Sequence, residues 1–277
     1  RTYRPNRTID ANGGVVHPGF IDCHVHLSLH LGRGSIPDSW PVEREHEQWL
    51  PYWTGLTEHE AYCAATLGCM EMVRNGTTTC CDQSSRYPVQ LTAEAVANIG
   101  MKAILTESCW DCHPVPEVAM GDVFECVKRL EQSLKSLPRS GDKSIWAAVG
   151  LAGMGMCSDQ LITAGKRLAD EHKSILTMHQ SFGPNDVALY QRLTGGKTAA
   201  AHLAELEVLT DNVQLIHMIH AEESELEILA RERVNVIHCP SASTRAGMGV
   251  SHVGRFPQML EQGVNVALGS DAGTYSD

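Results

Sequence analysis

From residue 18 onward, short apolar, β-branched runs alternate with stretches of helical period. The strand-like runs are GFIDCHVH (19–26), GTTTCCDQ (76–83), MKAILTESC (101–109), SIWAAVGLA (144–152), SILTMHQ (174–180), VQLIHMI (213–219), VNVIHCP (234–240) and VNVALGSD (264–271). Helical periodicity marks TEHEAYCAATLGCMEMVRN (57–75), GDVFECVKRLEQSLKSL (121–137), SDQLITAGKRLADEHK (158–173) and ESELEILARER (223–233). Eight apolar strands alternating with helices predict parallel βα units. The simplest closure of eight such units is an α/β fold of the (β/α)8, TIM-barrel type over residues 18–277, with an open doubly wound sheet as the alternative. The stretch from Leu27 to Thr57, carrying Trp40, Trp49 and Trp53, is a long βα connection of the kind that forms a functional lid or wall.

Composition narrows the function classes. The 277 residues are 43% hydrophobic and carry a net charge of −11, with no basic run, which argues against a nucleic-acid or anionic-membrane surface. No apolar run approaches the roughly 20 residues of a membrane span. The ten cysteines are scattered, and several fall in apolar patterns, as free thiols in a reducing cytoplasm do. The expected partner is therefore a small-molecule substrate, with a homo-oligomer left open.

In a barrel the C-terminal strand ends converge on one face, and chemistry sits there. His24 and His26 close the first strand, His179 the fifth, and Asp271 the eighth, while His217 lies near the end of the sixth. Residues i and i+2 of a strand share a face, so His24 and His26 can aim at one point. Neutral imidazoles and a carboxylate suit a divalent ion, which activates water near neutral pH. A single strand histidine is by default a satisfied core or surface residue. His30, His46, His59, His113, His172 and His252 are assigned to that class, because only the convergent set spans several strand ends.

HPGFIDCHVHL, EMVRNGTTTCCDQ, LIHMIHAEESELEILARERVNVIHCPSASTRAGMG and GVNVALGSDAG together resemble the amidohydrolase superfamily. The likeness is to the branch holding chlorotriazine hydrolases, cytosine and guanine deaminases and S-adenosylhomocysteine deaminases. It runs from about residue 9 to 277. It implies a metal-dependent hydrolase acting on a non-peptide C–N bond of an N-heterocyclic or cyclic amidine substrate. A hydrolytic dehalogenase or amide hydrolase is the alternative within the superfamily, and a non-catalytic barrel the alternative outside it. Carried over, the resemblance makes His24, His26, His179 and Asp271 the metal ligands. It makes His217, rather than His220, the histidine that meets water or substrate, and Asp271 also the proton shuttle. It further implies a flanking small β-sandwich, of which residues 1–17 would be a remnant. The final barrel helix and the rest of the sandwich would then belong to a longer protein.

The chain departs from the resemblance at three points. Phe182 stands three residues after His179, where deaminating relatives carry glutamate. Ser243 stands where asparagine is common. The fourth strand has no lysine to bridge two ions, which favours a single one, with zinc the default and iron or manganese the alternatives. Gln180, Phe182, Ser243 and Trp110 are the candidate substrate contacts. His202 and Glu205 (HLAE) fall in a helical stretch too close to His217 for a strand and crossover, and are assigned a structural role. CWDC at 109–112 admits a redox pair or half a zinc site, but no second C-x-x-C accompanies it. HLSLH at 26–30 lacks the glutamate of a helical zinc protease.

Overall fold

All eight predicted runs form strands in the computed structural model, which describes residues 5–35, 46–112, 120–140, 143–153 and 155–273. The strands are β1 Phe20–His26, β2 Thr77–Ser85, β3 Lys102–Cys109, β4 Ile145–Ala147, β5 Val149–Gly153, β6 Leu176–Gln180, β7 Val213–His217, β8 Asn235–His238, β9 Asn265–Leu268 and β10 Asp271–Ala272. Every pairing is parallel, in the order β10-β1-β2-β3-β5-β6-β7-β8-β9, with β4 beside β3.

Two predicted strands are each split in two. The fourth breaks at Ala148 into β4 and β5, which pair with successive parts of β3. The eighth breaks at Gly269–Ser270. Its first half pairs with β8 (Ile237 opposite Ala267), and its second half pairs with β1 (Val25 opposite Asp271). The eighth strand thereby touches both edges of the sheet and closes the (β/α)8 barrel. The step is tied down locally. The Asp22 carboxylate accepts hydrogen bonds from Ser270 N at 3.1 Å and Ser270 Oγ at 2.5 Å. At Gly269 a side chain would begin 2.9 Å from His24 Cβ, so the backbones can approach only because that position is glycine.

The helices are α1 His46–Gly55, α2 Glu58–Arg74, α3 Val89–Ile99, α4 Val123–Ser136, α5 Asp159–Glu171, α6 Pro184–Leu193, α7 Ala199–Glu205 and α8 Glu223–Arg231, with shorter α9 Pro240–Arg245, α10 Val250–Val253 and α11 Phe256–Glu261. Their starts are written in the sequence. Thr57 Oγ1 accepts from Glu60 N, and the Glu60 carboxylate accepts back from Thr57 N. Asp122 and Ser158 cap α4 and α5 by accepting from Glu125 N and Leu161 N. Each such cap contributes about 1 kcal/mol. The faces then follow the 3.6 period: α4 buries Cys126, Leu130, Ser133 and Leu134 against the sheet.

Residues 5–19 form no strand, and Ile9, Val15 and Val16 are 75%, 89% and 86% exposed. The sandwich remnant expected over residues 1–17 has no partner strand beside it among the described residues. The long first connection is structured at both ends. It opens with a 3-10 turn, Leu27–Gly32, whose Leu27 N donates to Asp82 Oδ1 at 2.8 Å, and it closes with α1. Trp53 packs on Trp110 with ring centroids 5.0 Å apart. Trp40 and the Trp49 ring lie outside the described residues.

Candidate metal centre

The mouth of the barrel gathers five polar side chains from four strands. His24 and His26 rise from β1, and each places Nε2 near Asp271 Oδ1 of β10, at 3.4 and 3.3 Å. His179 of β6 puts its Nε2 3.4 Å from His26 Nε2. His217 of β7 has its Nε2 3.8 Å from Asp271 Oδ2. The donor atoms of His24, His26 and Asp271 all lie within 4.8 Å of one another, as do those of His24, His179 and His217. Imidazoles crowded this closely gain little from one another when neutral and repel when charged, so the fold holds them there against local preference.

The backbone carries part of that cost. His217, Met218, Asp271 and Ser181, all non-glycine, have φ of +75°, +51°, +68° and +51°. Left-handed backbone at non-glycine positions is strained and concentrates at functional sites. On the neighbouring strand β5 the same demand falls on Gly153, with φ +79°, where a Cβ would stand only 2.1 Å from His179 O. Gly153→Ala is therefore expected to push the His179 peptide out of place. It should lower metal retention at least tenfold, read by elemental analysis after gel filtration; unchanged metal content would contradict this assignment.

Protonation states suit a cation. Burial pushes the imidazolium of His24 down to about 3 and that of His217 down to about 4. Burial and the neighbouring imidazoles of His26 and His217 push His179 to about 3. Burial works to raise Asp271, but the imidazoles of His24, His26 and His217 against it hold it well below the usual carboxylate range. At neutral pH the rings of His24, His179 and His217 thus offer neutral nitrogen lone pairs around an anion. His179 Nδ1 lies 3.2 Å from Ala152 O, which can only accept, so Nδ1 carries the proton and Nε2 offers its lone pair to the cluster. His24 Nε2 is buried and has no aligned hydrogen bond. An orphaned buried nitrogen facing a carboxylate and further imidazoles fits a divalent ion of the zinc class.

These shifts set a pH dependence. Unfolded imidazoles protonate near 6.5, whereas the folded ones stay neutral until about 3 to 4. The folded state binds fewer protons across that window, so stability is full above pH 6.5 and is lost as pH falls toward 4. The midpoint of thermal unfolding should decline over that range; a flat profile would refute the neutral-imidazole assignment.

The candidate substrate contacts are dispersed differently. Phe182 follows β6 and packs edge-on to His217, with centroids 5.8 Å apart. Ser243, on α9, is buried, and its hydroxyl has no hydrogen-bond partner. Gln180 is fully buried with its amide nitrogen 3.5 Å from Met178 Sδ, on the face of β6 opposite His179. Trp110 is 3% exposed and packed on Trp53, so what it presents to the mouth is limited to that sliver of surface.

Histidines outside the cluster are held elsewhere. His220 Nε2 bonds Met248 O at 2.9 Å, and His202 Nε2 lies 2.9 Å from Asp159 Oδ1. Glu205 pairs with Lys197, and Arg33 with Glu71. In CWDC, Cys109 is buried while Cys112 is exposed. Sequence reasoning misses Cys239. Its pattern is that of a core thiol, yet its sulfur comes within 4.8 Å of donor atoms of His217 and Asp271. Sequence reasoning also misses Asp22 as the tie between the first and eighth strands.

Residues 15–276 match the Amidohydrolase family. The chain belongs to that family. Among curated relatives, this amidohydrolase is 33% identical over 271 residues to a 5-methylthioadenosine/S-adenosylhomocysteine deaminase of Syntrophobacter fumaroxidans, covering 97% of this chain and 59% of that protein. It is 31% identical to a 5'-deoxyadenosine deaminase of Methanothermobacter thermautotrophicus, covering 95% and 59%. The chain thus spans about 59% of the length of these relatives. Among solved structures, the atrazine chlorohydrolase TrzN from Arthrobacter aurescens complexed with zinc superposes with a TM-score of 0.86 at 20% identity, covering 94% of this chain and 61% of that one. Guanine deaminase from C. acetobutylicum gives a TM-score of 0.80 at 20% identity, covering 93% and 61%. At that identity the structural likenesses establish the barrel and nothing finer.

Proposed function

We propose that this barrel is the catalytic part of a metal-dependent hydrolase that removes an exocyclic amine from an N-heterocycle, with adenine-type nucleosides as the first substrate class. The observation that carries the reading is a pair of donor groups overlapping at His24, namely His24, His26 and Asp271 and His24, His179 and His217, with His179 Nε2 3.4 Å from His26 Nε2. The substrate class is supported by the names of the relatives that match nearly all of this chain.

His24, His26, His179 and Asp271 are the residues that would hold one divalent ion, zinc first among the candidates. When bound, such an ion supplies Lewis-acid activation of water near neutral pH. The chain's own residues do the rest. Asp271 turns Oδ1 to His24 and His26 and leaves Oδ2 toward His217. That second oxygen is placed to take a proton from the attacking water and to return it to the departing amine. His217, neutral at working pH, orients the attacked carbon's substituent through a ring nitrogen. Phe182 lies against His217 where it presents an apolar edge. It can exclude water and pack on a heterocycle, but it donates no proton to a ring nitrogen, so Asp271 is the one carboxylate assigned to proton transfer here.

Phe182 is also the observation that favours a second reading. A reaction that needs no ring protonation, such as displacement of halide from an activated triazine carbon, suits an apolar side chain at that position. Ammonia release from 5'-deoxyadenosine, S-adenosylhomocysteine and guanine, run beside chloride release from a chlorotriazine with the full-length protein, separates the two. Ammonia from the adenine nucleosides is the expected result. Chloride without ammonia would replace the first reading with the second, and neither would sink both.

A further inference from the structure

Cys239 is the residue after β8 and is fully buried. Its sulfur, one His217 nitrogen and one Asp271 oxygen all lie within 4.8 Å of one another. This triad shares Asp271 with the group His24, His26 and Asp271 and shares His217 with the group His24, His179 and His217, while Cys239 belongs to neither. The carboxylate is disposed to serve both groups that contain it, because Oδ1 faces His24 and His26 while Oδ2 faces His217. His217 itself is 3% exposed, and its Nδ1 is buried with no hydrogen-bond partner. A buried nitrogen, sulfur and carboxylate oxygen gathered this closely, with His217 Nε2 3.8 Å from Asp271 Oδ2, point to an occupant.

We propose that His217, Cys239 and Asp271 form a second cation position adjoining the first, sulfur-bearing and selective for soft or borderline divalent ions such as zinc and cadmium. One nitrogen, one sulfur and one oxygen donor leave a fourth vertex for solvent, a set that zinc-class ions accept and that magnesium or calcium, which require oxygen donors, do not. Binding there displaces the thiol proton to the buffer. It also ties up His217 and the free oxygen of Asp271, so the second position acts as a brake on the reaction assigned to those residues. That consequence rests on the proposed function; the sulfur ligation does not.

The test starts from full-length protein holding one equivalent of zinc and titrates it with cadmium(II). The expected result is a second bound equivalent with the zinc retained, accompanied by a thiolate-to-cadmium charge-transfer band in the ultraviolet. Turnover should fall at least tenfold in parallel. Cys239→Ser should keep the first equivalent and lose the band, the second equivalent and the inhibition. X-ray absorption on wild-type protein carrying two equivalents of zinc needs no variant, and it should show metal–sulfur scattering at about 2.3 Å. A second equivalent without sulfur scattering, no second equivalent, or a band unchanged in Cys239→Ser overturns the proposal. Protein that fails the ammonia assay but gains the sulfur signature fails the proposed function and keeps this one.

Discussion

Replacing Asp271 by alanine is expected to lower kcat by about 10^3-fold or more. General acid–base transfer by a positioned side chain is worth roughly 10^2 to 10^4 in rate, and this residue is assigned ion binding as well. Its carboxylate is the one anion among the cluster's donors, with Oδ1 3.4 and 3.3 Å from the Nε2 atoms of His24 and His26. Asparagine at the same place separates the two duties. Asp271→Asn keeps an oxygen donor of the same shape and should retain part of the bound metal. It cannot accept a proton, so turnover should fall nearly as far as in the alanine variant. Metal content and kcat, measured on both variants, check the division. Turnover in Asp271→Ala within tenfold of wild type would remove the carboxylate from the mechanism.

Stripping divalent ions with a chelator should abolish turnover and lower the unfolding midpoint by about 10 °C. A ligand present at 1,000 times its Kd stabilises the folded state by about 4 kcal/mol. Each kcal/mol moves the midpoint of a domain somewhat smaller than this one by about 2 to 4 °C. The physical source is local. Without a cation, a buried carboxylate and an orphaned His24 nitrogen face imidazoles that burial keeps neutral. Zinc added back should restore both readouts. A midpoint unmoved by chelation, in protein shown by elemental analysis to have lost its metal, would mean that the cluster is not an ion site.

The barrel is legible in the sequence because each strand is a β-branched run and the principal helices announce their starts with Thr57, Asp122 and Ser158. The cluster is legible because His24 and His26 are two apart on one strand and the remaining donors fall at other strand ends. What escapes the sequence depends on backbone turns that no periodicity encodes. The eighth strand steps sideways at Gly269–Ser270, and only that step, held by Asp22, lets it reach β1 and deliver Asp271. Cys239 reaches the cluster because it lies just past β8, between the strand and α9, where alternation no longer assigns a face. Gln180 shows the reverse. Alternation from His179 already turns it to the other face of β6, and its neighbour there is Met178. Trp110 falls beside the mouth by its place after β3, but Trp53, far earlier in the chain, covers its ring.

His24, His26, His179 and Asp271 are assigned to one shared ion. Elemental analysis of the full-length protein, paired with the His24→Ala/His179→Ala variant and X-ray absorption at the metal edge, tests it most directly. One tightly held divalent ion per chain is expected, with nitrogen and oxygen ligands at about 2.0–2.2 Å, absent from the folded double variant. An ion retained at full occupancy when both imidazoles are gone would contradict it.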